Sequence, residues 1–415
     1  MTITNKNITL ERVNAMPAPT WNHLKMNYAS LEIPARFKPA NAVKISDYSN
    51  CKGEAGDFDC ALEGLQVKTF GKNEAASYTP WSQAPDRRDL TSLALSPVQE
   101  KEEDSYARQS VIEDFETGMG SDAYEFLRSK ASGGVCVIRT KAGQDANISI
   151  SNTPKNGEIS VCSLDLIVEA GSSLALDIHS SAIDANEGLC STVLRAFVGS
   201  GSSLKLNLVQ TLPEGFINAD DIGFALDENA QVEISQTVLG ASKVYGGICG
   251  DLRGNDTRAE VKNHFATRAN QEIDFNYVMN HRGKNASCDM NSIGVMSGES
   301  LRTMRGTINF VRGCSGADGA EAETVLIIDQ GSINRSIPSL LCGEDDVAGA
   351  HGATIGHVNK SQTAYLMARG LDEDQINQLF LSSVFEEAYI AAANDEIAQG
   401  ITRRAHAVLG ENWEG

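Results

Sequence analysis

The sequence predicts a mainly β protein: a parallel β-solenoid core flanked by N-terminal and C-terminal helical regions. Three observations predict it. From Gly134 to about His351 the chain runs as short β-rich segments punctuated by Gly, Asn, Asp and Ser, without an amphipathic helix of ordinary length. Within that stretch LDLIVEAGSSLALDIHSS, LRAFVGSGSSLKLNLVQT and IGFALDENAQVEISQTV superpose, with Gly171, Gly201 and Asn229 at equivalent places 30 and 28 residues apart. After Val358 the apolar spacing becomes helical. The chain therefore divides into a helical and loop region over 1–133, a solenoid core over 134–357 and a helical region over 358–415.

In the first region the sequence predicts helices around Ile8–Asn14, Leu90–Leu95 and Ser121–Lys130, with a polar, loop-rich stretch from Ala75 to Gln109. The third helix, SDAYEFLRSK, opens on a Ser and an Asp suited to capping. In the repeats, Gly and Asn tolerate the left-handed backbone that sharp corners need, and apolar residues alternate with polar ones after each corner. Leu174, Leu176 and Ile178 face inward while Ala175, Asp177 and His179 face out; Leu204, Leu206 and Leu208 repeat this against Lys205 and Asn207, and Val232 and Ile234 continue it. Weaker copies follow at DTRAEVKNHF, NASCDMNSIG and AEAETVLIID. Each unit buries its apolar face only on its neighbours, which makes a stack of coils. A β-sandwich also yields many short strands with Gly-rich turns, but the repeat favours the solenoid, and alternating βα units are missing.

In the last region Asp372, Glu373 and Asp374 mark a helix start favoured by the helix dipole. Ile376, Leu379, Phe380, Val384 and Phe385 recur at three- and four-residue spacing and form one apolar stripe. That stripe suits either docking on the chain's own solenoid or a partner surface.

The 415 residues are 41% hydrophobic, enough for a substantial core. Thirty-five basic against fifty-five acidic residues give a net charge of −20, which disfavours nucleic acid or an anionic membrane as the main partner. No window approaches eighteen apolar residues, and MTITNKNITLERVNAMPAPT lacks the features of a secretion leader, so a cytoplasmic protein is expected. The nine cysteines form no CxxC pair and read as reduced thiols, with Cys136 and Cys162 buried in apolar strands. Phosphate-loop, GxSxG and HExxH patterns do not occur, so a non-catalytic chain that binds no nucleotide and does not itself hydrolyse ATP is expected. His23, His179, His264, His281 and His406 read as solvent-facing.

The densest group of chemically capable residues is IPSLLCGEDDVAGAHGATIGHV, which holds Cys342, Glu344, Asp345, Asp346, His351 and His357. Thiolate, imidazole and carboxylate ligate iron and other transition metals, but this spacing matches no closed four-ligand site. Asp345 and Asp346 also suit turn capping, and His351 between small residues suits a satisfied hydrogen bond.

The same segment, extended through NKSQTAYLMARGLDEDQINQLFLSSVF, resembles the C-terminal signature of the SufB/SufD family of iron–sulfur cluster assembly scaffolds. Pro338, Leu340, Asp345, Asp346, Val347, His351, Gly352, Ala353, Thr354, Gly356, Arg369, Gly370, Leu371, Asp372 and Glu373 stand where that signature expects them. NHLKMNY near Asn22 is similar to a short N-terminal segment of the family.

The resemblance implies a right-handed parallel β-helix, paired through β-helix edges with a SufB-like paralogue or a second copy. It implies C-terminal helices that bind a SufC-like ABC-type ATPase, with Arg369, Gly370, Leu371, Ile376, Phe380 and Phe385 on the docking face. A transient iron–sulfur cluster would be assembled at the subunit interface, with sulfur delivered as persulfide by a donor protein. His351 matches the SufD interface histidine and is the candidate cluster-assembly and metal residue. The cysteine that some SufD proteins carry two residues earlier is Gly349 here; the SufB interface cysteine falls near Gly331 and Ser332 in VLIIDQGSIN. Both departures point to a SufD-like role. Cys314 and Cys342 lie nearby in sequence as substitute thiols, on no matched position. Two other readings stand beside this one: a β-helix polysaccharide lyase or hydrolase using Asp345 and Asp346, and a structural solenoid without cofactor.

Overall fold

The structure, a computed structural model, describes residues 2–3, 7–20, 22–46, 60–62, 65–70, 116–357, 359–409 and 413. The helix expected over Leu90–Leu95, the loop expected over Ala75–Gln109 and Cys51 lie outside the described residues.

Two parallel sheets form the walls of a solenoid. The first contains β8 (Val135–Thr140), β10 (Glu158–Val168), β12 (Gly188–Val198), β14 (Phe216–Leu226), β16 (Lys243–Leu252), β18 (Glu272–His281), β20 (Leu301–Phe310) and β22 (Ile333–Cys342). The second contains β9 (Asp145–Asn152), β11 (Ser173–Ser180), β13 (Ser203–Gln210), β15 (Gln231–Val238), β17 (Arg258–Thr267), β19 (Ser287–Met296), β21 (Ala317–Ile327) and β23 (Val347–His357). The chain alternates between them, one strand of each per coil, through about eight turns.

The sequence repeat is the coil. Leu174 pairs with Leu204 and Leu204 with Val232, and Leu176, Leu206 and Ile234 stack likewise in one apolar column. Gly171, Gly201 and Asn229 take φ of 67°, 64° and 56°, the left-handed corner conformation that a side chain with a Cβ disfavours. The weaker copies are β17, β19 and β21, in parallel register with one another and with β15.

The two ends differ. At the start, β7 (Leu65–Phe70) pairs antiparallel with β8, and β5 (Val43–Ser46) pairs antiparallel with β9, so the first coil has covered edges. At the far end β22 and β23 close their sheets with no further strand among the described residues. Unpaired strand edges are templates for another chain.

An N-terminal unit packs on the outer face of the first sheet. Its strands β2 (Asn7–Val13) and β3 (Ala29–Pro34) and its helix α1 (Ser121–Lys130) place Leu10, Val13, Leu31, Ile33, Tyr124 and Leu127 against Ile159, Val161, Leu189, Val193 and Ile217. The helix at Ser121–Lys130 is as expected. The one expected around Ile8–Asn14 is instead a strand paired antiparallel with β3. A bulge between Leu10 and Val13 turns both residues inward, so a strand produces the three-residue apolar spacing of a helix.

Three helices follow β23: α2 (Lys360–Ala368), α3 (Glu373–Ile390) and α4 (Asp395–Leu409). Asp372 caps α3 in a reciprocal box with Gln375. Leu381, Val384, Phe385, Ala388, Ile397, Ile401 and Ala405 bury against Val209, Leu239, Ala266 and Val295 on the outer face of the second sheet. Of the stripe read from the sequence, Val384 and Phe385 lie in this seam, while Leu379 is 49% exposed. Phe385 is buried and Phe380 half-buried against the apolar wall that the outward valine, leucine and alanine positions of successive coils offer, and Ile376 is buried as well. Among the described residues no helix is long and apolar enough to cross a membrane.

Candidate functional site at the open end of the solenoid

The inward-facing column of the second sheet that begins at Leu176 runs through Leu206, Ile234, Val261, Met290 and Glu321 to His351. His351 therefore sits on the lumen side of the last coil, and it is exposed because no coil covers it. The strand around it is made of small residues, Ala348, Gly349, Ala350, Gly352 and Ala353, all exposed. Cys342 ends the matching strand of the first sheet, above Phe310, and is exposed too.

Beneath this mouth the lumen becomes polar. The column Ile178, Leu208, Gln236, Asn263, Ser292, Glu323 changes from apolar to polar at its third member. Arg302, 0% exposed, donates from Nη1 to Glu323 Oε2 at 2.7 Å and to Asn334 Oδ1 at 2.9 Å, and from Nη2 to Ser292 Oγ at 2.8 Å. Ser292 Oγ donates to Asn263 Oδ1 at 2.9 Å, Asn263 Nδ2 to Gln236 Oε1 at 3.3 Å, and Tyr277 OH to the same oxygen at 2.5 Å. Ser336 at the mouth donates to the other oxygen of Glu323. A hydrogen-bonded chain thus runs from the last coil four coils inward.

Glu321 lies one coil below His351 and is buried, with Oε1 lacking a hydrogen-bond partner. Gly306 makes room for it: a Cβ there would stand 1.9 Å from Oε1. Burial, reinforced by Glu323 and opposed by Arg302, pushes the Glu321 carboxyl up to about 7. The folded state therefore holds this proton more tightly than the unfolded chain, whose carboxyl titrates near 4.5. Stability is lost as pH rises from the unfolded value through 7. Glu321→Gln is expected to gain on the wild type by about 3 kcal/mol between pH 4.5 and pH 8, read from the melting temperatures of both proteins. An equal difference at both pH values would show that Glu321 titrates as an ordinary carboxylate.

The other sequence-derived candidates divide. Cys314 is fully buried and its thiol is pushed up by burial. Cys136 and Cys162 are buried as expected. Asp346 accepts from Ser315 Oγ at 2.6 Å, and Glu344 accepts from the Gly313 and Asp345 amides at 2.9 and 3.0 Å, so these acids tie the turn before β23. Among the described residues no group of three or more His, Cys, Asp or Glu is placed to hold a metal ion.

Two histidines expected to face solvent are buried. His179 does point outward, but α4 covers it, with its ring against Gly400 and Nε2 3.0 Å from Thr211 Oγ1. His281 points inward, Nδ1 3.1 Å from Ala286 O and Nε2 3.2 Å from Cys288 Sγ, beside Phe310. Burial holds both imidazoles down at about 4. His264 and His406 are half covered, and His23 is exposed. Arg302, Glu321 and Glu323 were missed from the sequence. Their signal was present: the copy AEAETVLIID places two glutamates where earlier copies place Leu and Ile.

On the outer surface, Arg369, Gly370 and Asp372 are exposed and Leu371 is half-buried beside α2, whose Tyr365 and Met367 are 58% and 49% exposed.

Residues 150–384 match the family described as "SUF system FeS cluster assembly, SufBD core domain". The chain is 23% identical over 247 residues to the iron–sulfur cluster assembly protein SufD of Bacillus subtilis, covering 58% of this chain and 56% of that one. It is 25% identical over 199 residues to SufB of the same organism, covering 48% and 43%. With a chloroplastic SufBD family protein of Arabidopsis thaliana it shares 21% over 215 residues, covering 50% and 38%. The matches thus span about half or less of each of these three relatives.

Proposed function

The chain belongs to the SufBD family of SUF-system iron–sulfur cluster assembly proteins, and from this premise we propose that it is a SufD-like scaffold subunit whose open solenoid end forms half of a cluster-assembly site. The observation that carries the proposal is the pairing of an exposed lumen-end His351 with two strand edges, β22 and β23, that no other strand among the described residues covers.

A second solenoid, from a SufB-like paralogue or another copy, adds its own edge there by β-augmentation. The joint buries His351 and Cys342 and leaves an imidazole aimed at the gap. The nascent cluster is cargo, built from iron and from sulfur that a donor protein brings as persulfide and a separate two-electron reductant converts to sulfide. His351 supplies a nitrogen ligand, and thiolates of the partner complete the soft donor set that such clusters require. Cys342, at the same mouth, is the one exposed thiol among the described free cysteines and would assist. The ABC-type ATPase docks on the exposed turn Arg369–Gly370–Leu371 and on α2, and its motion on ATP hydrolysis reaches the joint through β23, which leads into α2 directly.

The test is a complex co-expressed with the ATPase and a cysteine-bearing paralogue, purified anaerobically, with iron and labile sulfide measured per complex. His351→Ala is expected to lower both roughly tenfold while the complex elutes unchanged. Undiminished iron and sulfide would make His351 a bystander at the edge.

A further inference from the structure

A cavity of about 180 Å³ lies on the outer face of the first sheet, where the loop before β3 crosses β16, β18, β20 and β22. It is on the opposite wall from His351 and is independent of the cluster-assembly reading. Lys25, Arg305 and Arg335 line it together with Thr303, Glu272 and Asp274.

The charges do not cancel within this set. Arg305, buried, gives Nε to the Met26 carbonyl at 2.6 Å and Nη1 to Asp274 Oδ1 at 2.6 Å, so Asp274 is committed to it. Asn14 Nδ2 donates to the same carboxylate oxygen at 2.7 Å. Glu272, at the rim, has its own cation in Lys243 at 3.4 Å. The Arg335 side chain is half-buried, makes no hydrogen bond or ion pair with any described residue and acts on Asp274 through space. Lys25 is exposed at the rim, likewise without a partner among the described residues, and its backbone sits at φ 52°. The cavity thus holds three cations, Lys25, Arg305 and Arg335, against two carboxylates that already have partners of their own, and the Arg335 guanidinium keeps donors that no described residue uses.

We infer that this cavity is a binding site for a small oxyanion, held by Arg335 and Lys25 with Arg305 as the fixed floor. Guanidinium forks match the paired oxygens of phosphate and carboxylate groups. Taking about 30 Å³ for each water-sized group, the space accepts on the order of six groups, the size of phosphate or a short polycarboxylate. The anion would lock the N-terminal loop, through Lys25, to the last coils of the solenoid, through Arg335.

The experiment is calorimetric titration of the full chain with inorganic phosphate, pyrophosphate and citrate at low salt. Saturable one-site binding of at least one is expected, and the order of affinities tells a phosphate from a carboxylate ligand. Arg335→Gln is expected to weaken binding roughly tenfold or more, the loss of one charge-assisted pair, without moving the melting temperature. Arg312→Gln, an exposed arginine of the turn after β20, is expected to bind as the wild type does. No saturable binding of any of the three anions, or Arg335→Gln binding as tightly as the wild type, would overturn the inference.

Discussion

Arg302→Ala is expected to lower the stability of the solenoid by about 3–5 kcal/mol, the cost of leaving a buried charge unpaired. Glu323 would lose its 2.7 Å partner, Asn334 and Ser292 would lose a donor each, and a cavity would open beside Phe265, whose ring lies 4.7 Å from the guanidinium. The effect should fall on the last coils, because each coil rests mainly on its neighbours. Replacing both members, Arg302→Met with Glu323→Met, is expected to recover most of the loss, since a well-packed apolar pair avoids the desolvation that the ion pair suffers. Denaturant midpoints of Arg302→Met, Glu323→Met and the double variant close the cycle. A single-variant loss below about 1 kcal/mol would mean that Glu323 turns out to solvent through the mouth.

The second large effect separates packing from docking on the C-terminal helices. Phe385→Ala is expected to cost about 3–5 kcal/mol, because the ring is 1% exposed and seals α3 onto the second sheet and Trp413. Tyr365→Asp, on the exposed face of α2, is expected to leave stability within about 0.5 kcal/mol while lowering capture of the ATPase. Capture at wild-type level by both Tyr365→Asp and Met367→Asp would remove α2 from the docking surface. Deleting residues 365–415 is the poorer test. It would strip α3 and α4 from Val209, Leu239, Ala266 and Val295, so lost association and lost fold would be read together.

The two glutamates and the arginine of the lumen show where sequence reading stops. Parity alone places Glu321 and Glu323 inward, but a carboxylate at an inward position normally argues against the assignment. Only the strand beside them, with Arg302 reaching across the lumen and Gly306 leaving space, makes those positions tolerable. The same limit explains the histidines. His179 has the outward parity read from its strand, yet a helix more than two hundred residues later lies over it. Parity assigns a face, not what covers that face.

By itself the sequence determined the coil: its period, its corners at Gly171, Gly201 and Asn229, the apolar column through Leu176, Leu206 and Ile234, and the segment carrying His351. These are local properties, set by the two-residue alternation of a strand and by which residues tolerate positive φ. The tertiary structure decided which surfaces remain open. It closed the first coil with antiparallel strands and, among the described residues, set no further strand on β22 or β23. It packed Val384 and Phe385 of the α3 stripe onto the solenoid and left Leu379 exposed, and it brought Arg335 and Lys25 to the lining of one cavity. Each depends on segments far apart in the chain meeting in space, and a one-dimensional pattern of apolar and polar residues carries no record of which face meets which.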